Sequence, residues 1–131
     1  MRRIKNILIV ISLLISCCLS AKDNQHVLII KKIPFTINGK QTELYKITQP
    51  DGTWGFFGHE GEIFDTIVRN ETEHPTVVHW HGLLVPNKED GVPYVTQPPI
   101  PAHGEYHYHF KLKQSGTYWM HSHHDLQVQQ N

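Results

Sequence analysis

A chain of 131 residues in which 12 Lys and Arg balance 12 Asp and Glu offers one modest core, and zero formal net charge gives no support to nucleic acid or an anionic surface as partner. Histidine is the outlier, at 11 copies. Imidazole is the commonest metal-ligating side chain and titrates near neutral pH, so composition points to metal chemistry.

Residues 1–21 read as an export signal. Arg2, Arg3 and Lys5 give a positive start, residues 7–15 are apolar apart from Ser12, and small or polar residues follow through Ala21. The apolar run is short for a bilayer core of about 30 Å, which favours a cleaved signal over a membrane anchor. Leu14-Ile15-Ser16-Cys17 also resembles a bacterial lipobox, with ordinary cleavage near Ser20 or Ala21 as the alternative. The expected location is the bacterial periplasm or, with Cys17 lipidated, a membrane anchorage at the cell envelope. Cys17 and Cys18 are the only cysteines, so residues 22–131, expected to form a single domain, bring no disulfide and no thiolate ligand.

The remainder reads as short strands between turn signals. Residues 27–37 are rich in Val, Ile and Phe, with Pro34 suiting an edge or bulge. Asn38-Gly39 is a tight-turn signal, after which residues 42–48 return as a second strand. Residues 63–70 alternate, Phe64, Thr66 and Val68 against Ile63, Asp65, Ile67 and Arg69. A polar loop over 70–75 leads to a strand over 76–82, and the five prolines of 86–103 mark an ordered loop. Tyr106, Tyr108, Phe110 and Leu112 alternate with Glu105, His107, His109 and Lys111, and a last strand covers 117–123. This order predicts an all-β, two-sheet antiparallel sandwich.

Two histidines at i and i+2 on a strand point to one face. His79-Trp80-His81 and His121-Ser122-His123 both have this form. If their strands are neighbours, four imidazoles share a patch suited to copper or zinc and unsuited to calcium or magnesium. The bland alternative is a solvated strand face. His107 and His109 have the same spacing, but they alternate with aromatics that must be buried, so they are expected to face solvent and not to ligate. His26, His59, His74 and His103 are isolated and read as surface or loop residues, and His124 points opposite to His123 if the strand persists.

His79-Trp80-His81-Gly82, Pro86, Asp90-Gly91-Val92-Pro93, Gln97-Pro98, Ile100-Pro101 and Gly116-Thr117-Tyr118-Trp119-Met120-His121-Ser122-His123 together resemble the first domain of multicopper oxidases, the family of laccases, ascorbate oxidase and bacterial copper-resistance oxidases. The likeness covers about residues 60–127, and the Tyr118–His123 stretch followed by Leu126-Gln127 looks most like the copper-resistance branch. The resemblance implies a cupredoxin-like Greek-key sandwich. It implies His79 as a ligand of a type 2 copper, His81 as a ligand of one type 3 copper, and His121 and His123 as ligands of the type 3 pair. Gly82 would let the backbone pass close to the cluster. An acidic residue of the 90-loop often sits near the cluster in this family, a role open to Asp90 beside the plainer one of a turn residue before Gly91. The family reaction takes four electrons to dioxygen, so several copper ions must be held within reach of one molecule.

The family's full cluster takes eight histidines, of which this chain brings four. The others, with the type 1 site that needs a Cys thiolate, are expected from a C-terminal oxidase domain or partner chain. The sandwich is thus expected to be incomplete at its C-terminus, and the isolated chain to lack blue absorbance and turnover of phenols or Cu(I). Beside this half-cluster reading stand a non-enzymatic periplasmic copper binder and a zinc hydrolase or lyase, which would need a general base that the motifs do not show. A plain adhesive sandwich leaves both histidine pairs unexplained.

Overall fold

The computed structural model describes residues 25–125, so the export signal, Cys17 and Leu126-Gln127 lie outside the described residues. Within them run six strands, β1 (His26–Ile37), β2 (Lys40–Thr48), β3 (Ile63–Asn70), β4 (His79–His81), β5 (Glu105–Lys111) and β6 (Trp119–His121), with a short 3-10 turn at Asn87–Glu89. Four strands form one sheet in the order β2-β1-β3-β5, while β4 and β6 pair as a second, two-stranded sheet.

Local chemistry explains the first hairpin. Asn38 and Gly39 both take positive φ, 51° and 77°, and Ile37 pairs with Lys40. A two-residue loop of this hand matches the right-handed twist of its strands. The 49–62 connection then brings β3 alongside β1 in parallel, from His26 opposite Thr66 to Ile30 opposite Asn70. The all-β sandwich holds, with this one parallel contact in place of a wholly antiparallel arrangement. Periodicity within a strand carries no information about the direction of its neighbour.

Phe64, Thr66 and Val68 of β3 are buried, as is Tyr108 with Phe110 on β5. Trp80 of β4 joins this core, meeting Phe64 edge-on at 4.9 Å between centroids and Tyr108 at 5.0 Å. Aromatic contacts of this geometry add about 0.5–1.5 kcal/mol each beyond the area they bury. They fasten the small sheet to the large one.

β4 and β6 are shorter than the strands expected at 76–82 and 117–123. Thr76 exchanges both backbone hydrogen bonds with Ile100 of the proline-rich loop, at 3.0 and 2.7 Å, and so leaves the β4–β6 ladder. Val77 and Val78 follow, fully buried. The Tyr108 hydroxyl accepts from the Val78 amide at 3.3 Å and donates to the Val78 carbonyl at 3.2 Å. A side chain here does the pairing that a strand neighbour does elsewhere.

The loops are equally ordered. Buried Asn70 donates its side-chain amide to the carbonyls of His74, Ile100 and Pro101, and its Oδ1 accepts from the Thr72 amide and hydroxyl. The segment expected as a polar loop over 70–75 is therefore organised by its first residue, which ties it to the end of the 86–103 loop.

Burial pushes the Tyr108 phenol well above its ordinary range. The folded state thus holds the neutral form, and the stability it confers is complete below the unfolded value of about 10 and lost as pH rises beyond it. Tyr108→Phe is expected to destabilise the chain by about 1–3 kcal/mol at neutral pH, since both Val78 groups lose a buried partner. It should also make the fall in stability between pH ~10 and ~12 shallower, as read by urea unfolding at each pH.

Candidate metal centre

The β4–β6 register sets His79 directly opposite His121, Trp80 opposite Met120 and His81 opposite Trp119. Since Trp80 turns into the core, His79 and His81 turn away from it together. The His79 ring lies 5.5 Å from that of His81, 5.3 Å from His121 and 5.6 Å from His123. One ring nitrogen from each of His79, His81 and His121 falls within 4.8 Å of the others. His123, just beyond the end of β6, borders this trio with its ring 6.2 Å from that of His121. All four residues expected from sequence thus share one patch, with three converging and the fourth at its edge. His79 and His121 are half-buried, while His81 and His123 are exposed.

Backbone carbonyls orient two of the rings. His79 Nδ1 lies 2.6 Å from the carbonyl oxygen of Asp90, and His121 Nδ1 lies 2.8 Å from that of Ser122. A carbonyl only accepts, so each Nδ1 carries a proton and Nε2 is the nitrogen left to turn toward the patch. This is the outer-shell arrangement that fixes a ligating imidazole. His81 Nδ1 faces His121 Nε2 at 3.3 Å, a gap that one proton fills or one cation bridges. Burial lowers the affinity of His121 for a proton. The Ser122 carbonyl opposes that shift, and the neighbouring His79, His81 and His123 rings reinforce it. The ligand-competent neutral form is therefore favoured. The donor set is nitrogen from neutral imidazoles, which fits copper or zinc and not the oxygen-seeking cations.

The Asp90 carboxylate is the weaker contact, with Oδ1 3.4 Å from His79 Nδ1. Of the two roles open to this residue, the structure gives it proximity to His79 chiefly through its backbone. Gly91 makes that approach feasible. It has φ +74°, and a Cβ there would lie 1.9 Å from the Val78 carbonyl oxygen. No residue with a side chain fits. Gly82, with φ +87°, has as its near neighbour the Tyr118 ring, 3.2 Å from where a Cβ would stand. The close approach it permits is to Tyr118 and not to the histidines.

Sequence reasoning passed over Trp119. Its ring stacks on His81 at 5.0 Å and on His121 at 4.1 Å, so it braces two of the rings from the solvent side. The register of β6 against β4 would have revealed it. The isolated histidines lie apart from the patch: His59 and His74 are exposed, His26 packs edge-on against Phe56 at 4.5 Å, and His103 pairs with Glu73 at 3.2 Å. His124 is buried beside Asp125. His107 and His109 face outward from β5 as expected, yet both meet Asp65 of β3 and form a second metal-competent group.

The profile of the multicopper oxidase family matches residues 59–131. Copper resistance protein A of Pseudomonas syringae pv. tomato is 44% identical over 70 residues, which are 53% of this chain and 12% of that protein. Laccase-2 of Thanatephorus cucumeris is 44% identical over 73 residues, 50% of this chain and 12% of its own. The solved multi-copper oxidase of Pseudomonas thermotolerans superposes with a TM-score of 0.69 at 28% identity, over 76% of this chain and 25% of that one. The Campylobacter jejuni multicopper oxidase, described as a metallo-oxidase, gives 0.64 at 33% identity, over 79% of this chain and 23% of its own. The chain therefore spans about an eighth of the length of these curated relatives. The fold is the cupredoxin-like β-sandwich of these structures, the family match extends over more than half of the sequence, and the chain belongs to the multicopper oxidase family.

Proposed function

We propose that this chain binds copper through His79, His81, His121 and His123 and supplies half of a trinuclear copper cluster in an oxidase that couples oxidation of a reducing substrate to reduction of dioxygen to water. The observation that carries the reading is the convergence of His79, His81 and His121 within 4.8 Å, with two Nδ1 atoms already engaged by carbonyls. In this assignment His79 serves a type 2 ion, and His81, His121 and His123 serve the type 3 pair. Bound copper supplies the one-electron steps that dioxygen reduction needs.

The chain's own residues perform the rest. The Asp90 and Ser122 carbonyls hold the His79 and His121 rings in one tautomer. Trp119 stacks on the His81 and His121 rings and steadies them. Exposed His81 and His123 leave the patch open on one side, where a C-terminal oxidase domain or chain would bring the remaining imidazoles. The same openness favours a second reading, a copper-tolerance protein that stores the ion without turnover. Residues 1–21 support export to the periplasm or, through Cys17, anchorage at the cell envelope.

Copper titration of the full chain by calorimetry, with zinc in parallel, tests the assignment. His79→Ala and His121→Ala should each weaken copper binding at least tenfold, while His59→Ala, on an exposed loop, should leave it unchanged. Unaltered affinity in both site variants would remove the basis of the proposal. Oxygen uptake by the copper-loaded chain, with and without the C-terminal part of a related oxidase, separates the oxidase from the copper store.

A second test addresses the carbonyl that orients His79. Gly91→Ala retains every histidine but forces a Cβ against the Val78 carbonyl. It is expected to weaken copper binding about 10–100-fold, the usual cost of losing an outer-shell partner. Asp90→Asn keeps the carbonyl and should stay within about threefold of the parent. The reverse ranking would assign the work to the carboxylate instead.

A further inference from the structure

The sheet face turned away from the core carries metal-competent side chains that the copper cluster does not use. On β5 the alternation that buries Tyr108 and Phe110 sends His107 and His109 outward, with side chains 51% and 55% exposed. Asp65 stands directly opposite His109 on β3. Its Oδ1 lies 2.7 Å from His107 Nε2, and its Oδ2 lies 3.2 Å from His109 Nδ1. Gln25 Nε2 donates to the same Oδ1 at 3.1 Å. One ligand atom from each of Asp65, His107 and His109 falls within 4.8 Å of the other two.

We propose that Asp65, His107 and His109 form a second, mononuclear site for Cu²⁺ or Zn²⁺, built on β3 and β5 and separate from the histidines of β4 and β6. The spacing is that of one coordination sphere. Ligands about 2.0–2.1 Å from a tetrahedral ion stand roughly 3.3 Å from each other; the two Asp65–histidine contacts, 2.7 and 3.2 Å, lie below that value, the longer one close to it. Two imidazoles and one carboxylate suit copper and zinc, whereas calcium and magnesium need more oxygen donors than this face provides. Cu²⁺ should bind more tightly than Zn²⁺, following the general order for nitrogen and oxygen sites. The exposure of both rings leaves the remaining positions to water, so the site is open and exchangeable and not a closed structural one.

An ion-pair staple between β3 and β5 is the competing account. Exposed pairs of that kind contribute only about 0–1 kcal/mol, and one imidazole would suffice for it. Here two rings converge on opposite oxygens of one carboxylate, and Gln25 steadies the shared oxygen. The hydrogen bond from His107, then that from Gln25, holds the Asp65 carboxyl below its usual range.

Calorimetric titration with CuSO4 and, separately, ZnCl2 should use the full chain carrying His79→Ala and His121→Ala, which removes the first site and makes this test independent of it. One equivalent of either ion is expected to bind. Addition of His107→Gln or His109→Gln should weaken binding at least tenfold. A folded background chain that binds neither ion, or one whose affinity ignores both glutamine substitutions, would overturn the site and leave the ion pair. Should the double-alanine chain not fold, Zn²⁺-induced shifts of the His107 and His109 ring resonances in the chain with all histidines intact decide instead. Their absence at two equivalents of zinc also overturns the proposal, and their loss in Asp65→Asn supports it.

Discussion

The burial of one indole governs the rest. Trp80 occupies the centre of β4, packed against Phe64 at 4.9 Å, Tyr108 at 5.0 Å and Phe110 at 5.9 Å. Truncating a buried Trp costs about 3–5 kcal/mol, a large share of what holds a domain of this size together. A strand cannot turn its central residue inward without turning both neighbours outward. His79 and His81 therefore point to one side because Trp80 points to the other, and the direction of these candidate ligands is fixed by apolar packing. Met120, half-buried opposite Trp80, repeats the rule on β6 and turns His121 to the same side.

Direction alone does not make a ligand, since an imidazole must also present a bare nitrogen. The proline-rich loop supplies that constraint for His79. Its far end is held by Asn70 through the Ile100 and Pro101 carbonyls and by the Thr76–Ile100 bridge. Nearer the patch, the missing side chain of Gly91 lets it lie against Val78. The Asp90 carbonyl arrives 2.6 Å from His79 Nδ1 as a consequence. Core, loop and candidate ligand form one mechanical chain, in which Gly91 lies against core Val78 and Asp90 reaches the ring of His79.

The parts of this arrangement visible in the sequence are those that depend on alternation. The buried and exposed faces of β3 and β5 follow their residue pattern position by position, and the inward course of Trp80 between two outward histidines follows from the same period. What depends on pairing was not visible. The parallel course of β3 beside β1 is set by a connection whose path no local pattern encodes. β4 and β6 are short because Thr76 bonds to Ile100, a partner 24 positions away. The contact of Asp90 with His79 runs mainly through its backbone, where residue type is silent. Asp65 could be placed on the outer face of β3, but its meeting with His107 and His109 needed the β3–β5 register.

The three His-x-His pairs share a spacing and differ in their surroundings. On β4 and β6 the His79 and His121 rings are steadied by neutral carbonyls and half-buried, so the donors bring no charge to an ion. An anionic ligand stabilises the more highly charged state of a metal and opposes its reduction. Neutral imidazoles leave that step less hindered, as suits an ion that accepts and passes on electrons. On β5 the rings stand in solvent around the Asp65 carboxylate, which offsets one unit of a cation's charge and favours an ion that stays divalent. Identical sequence spacing thus yields one patch of neutral donors and another built around a carboxylate, which is why the two proposals assign them different chemistry. The difference comes from what lies across the strand, not from what lies along it.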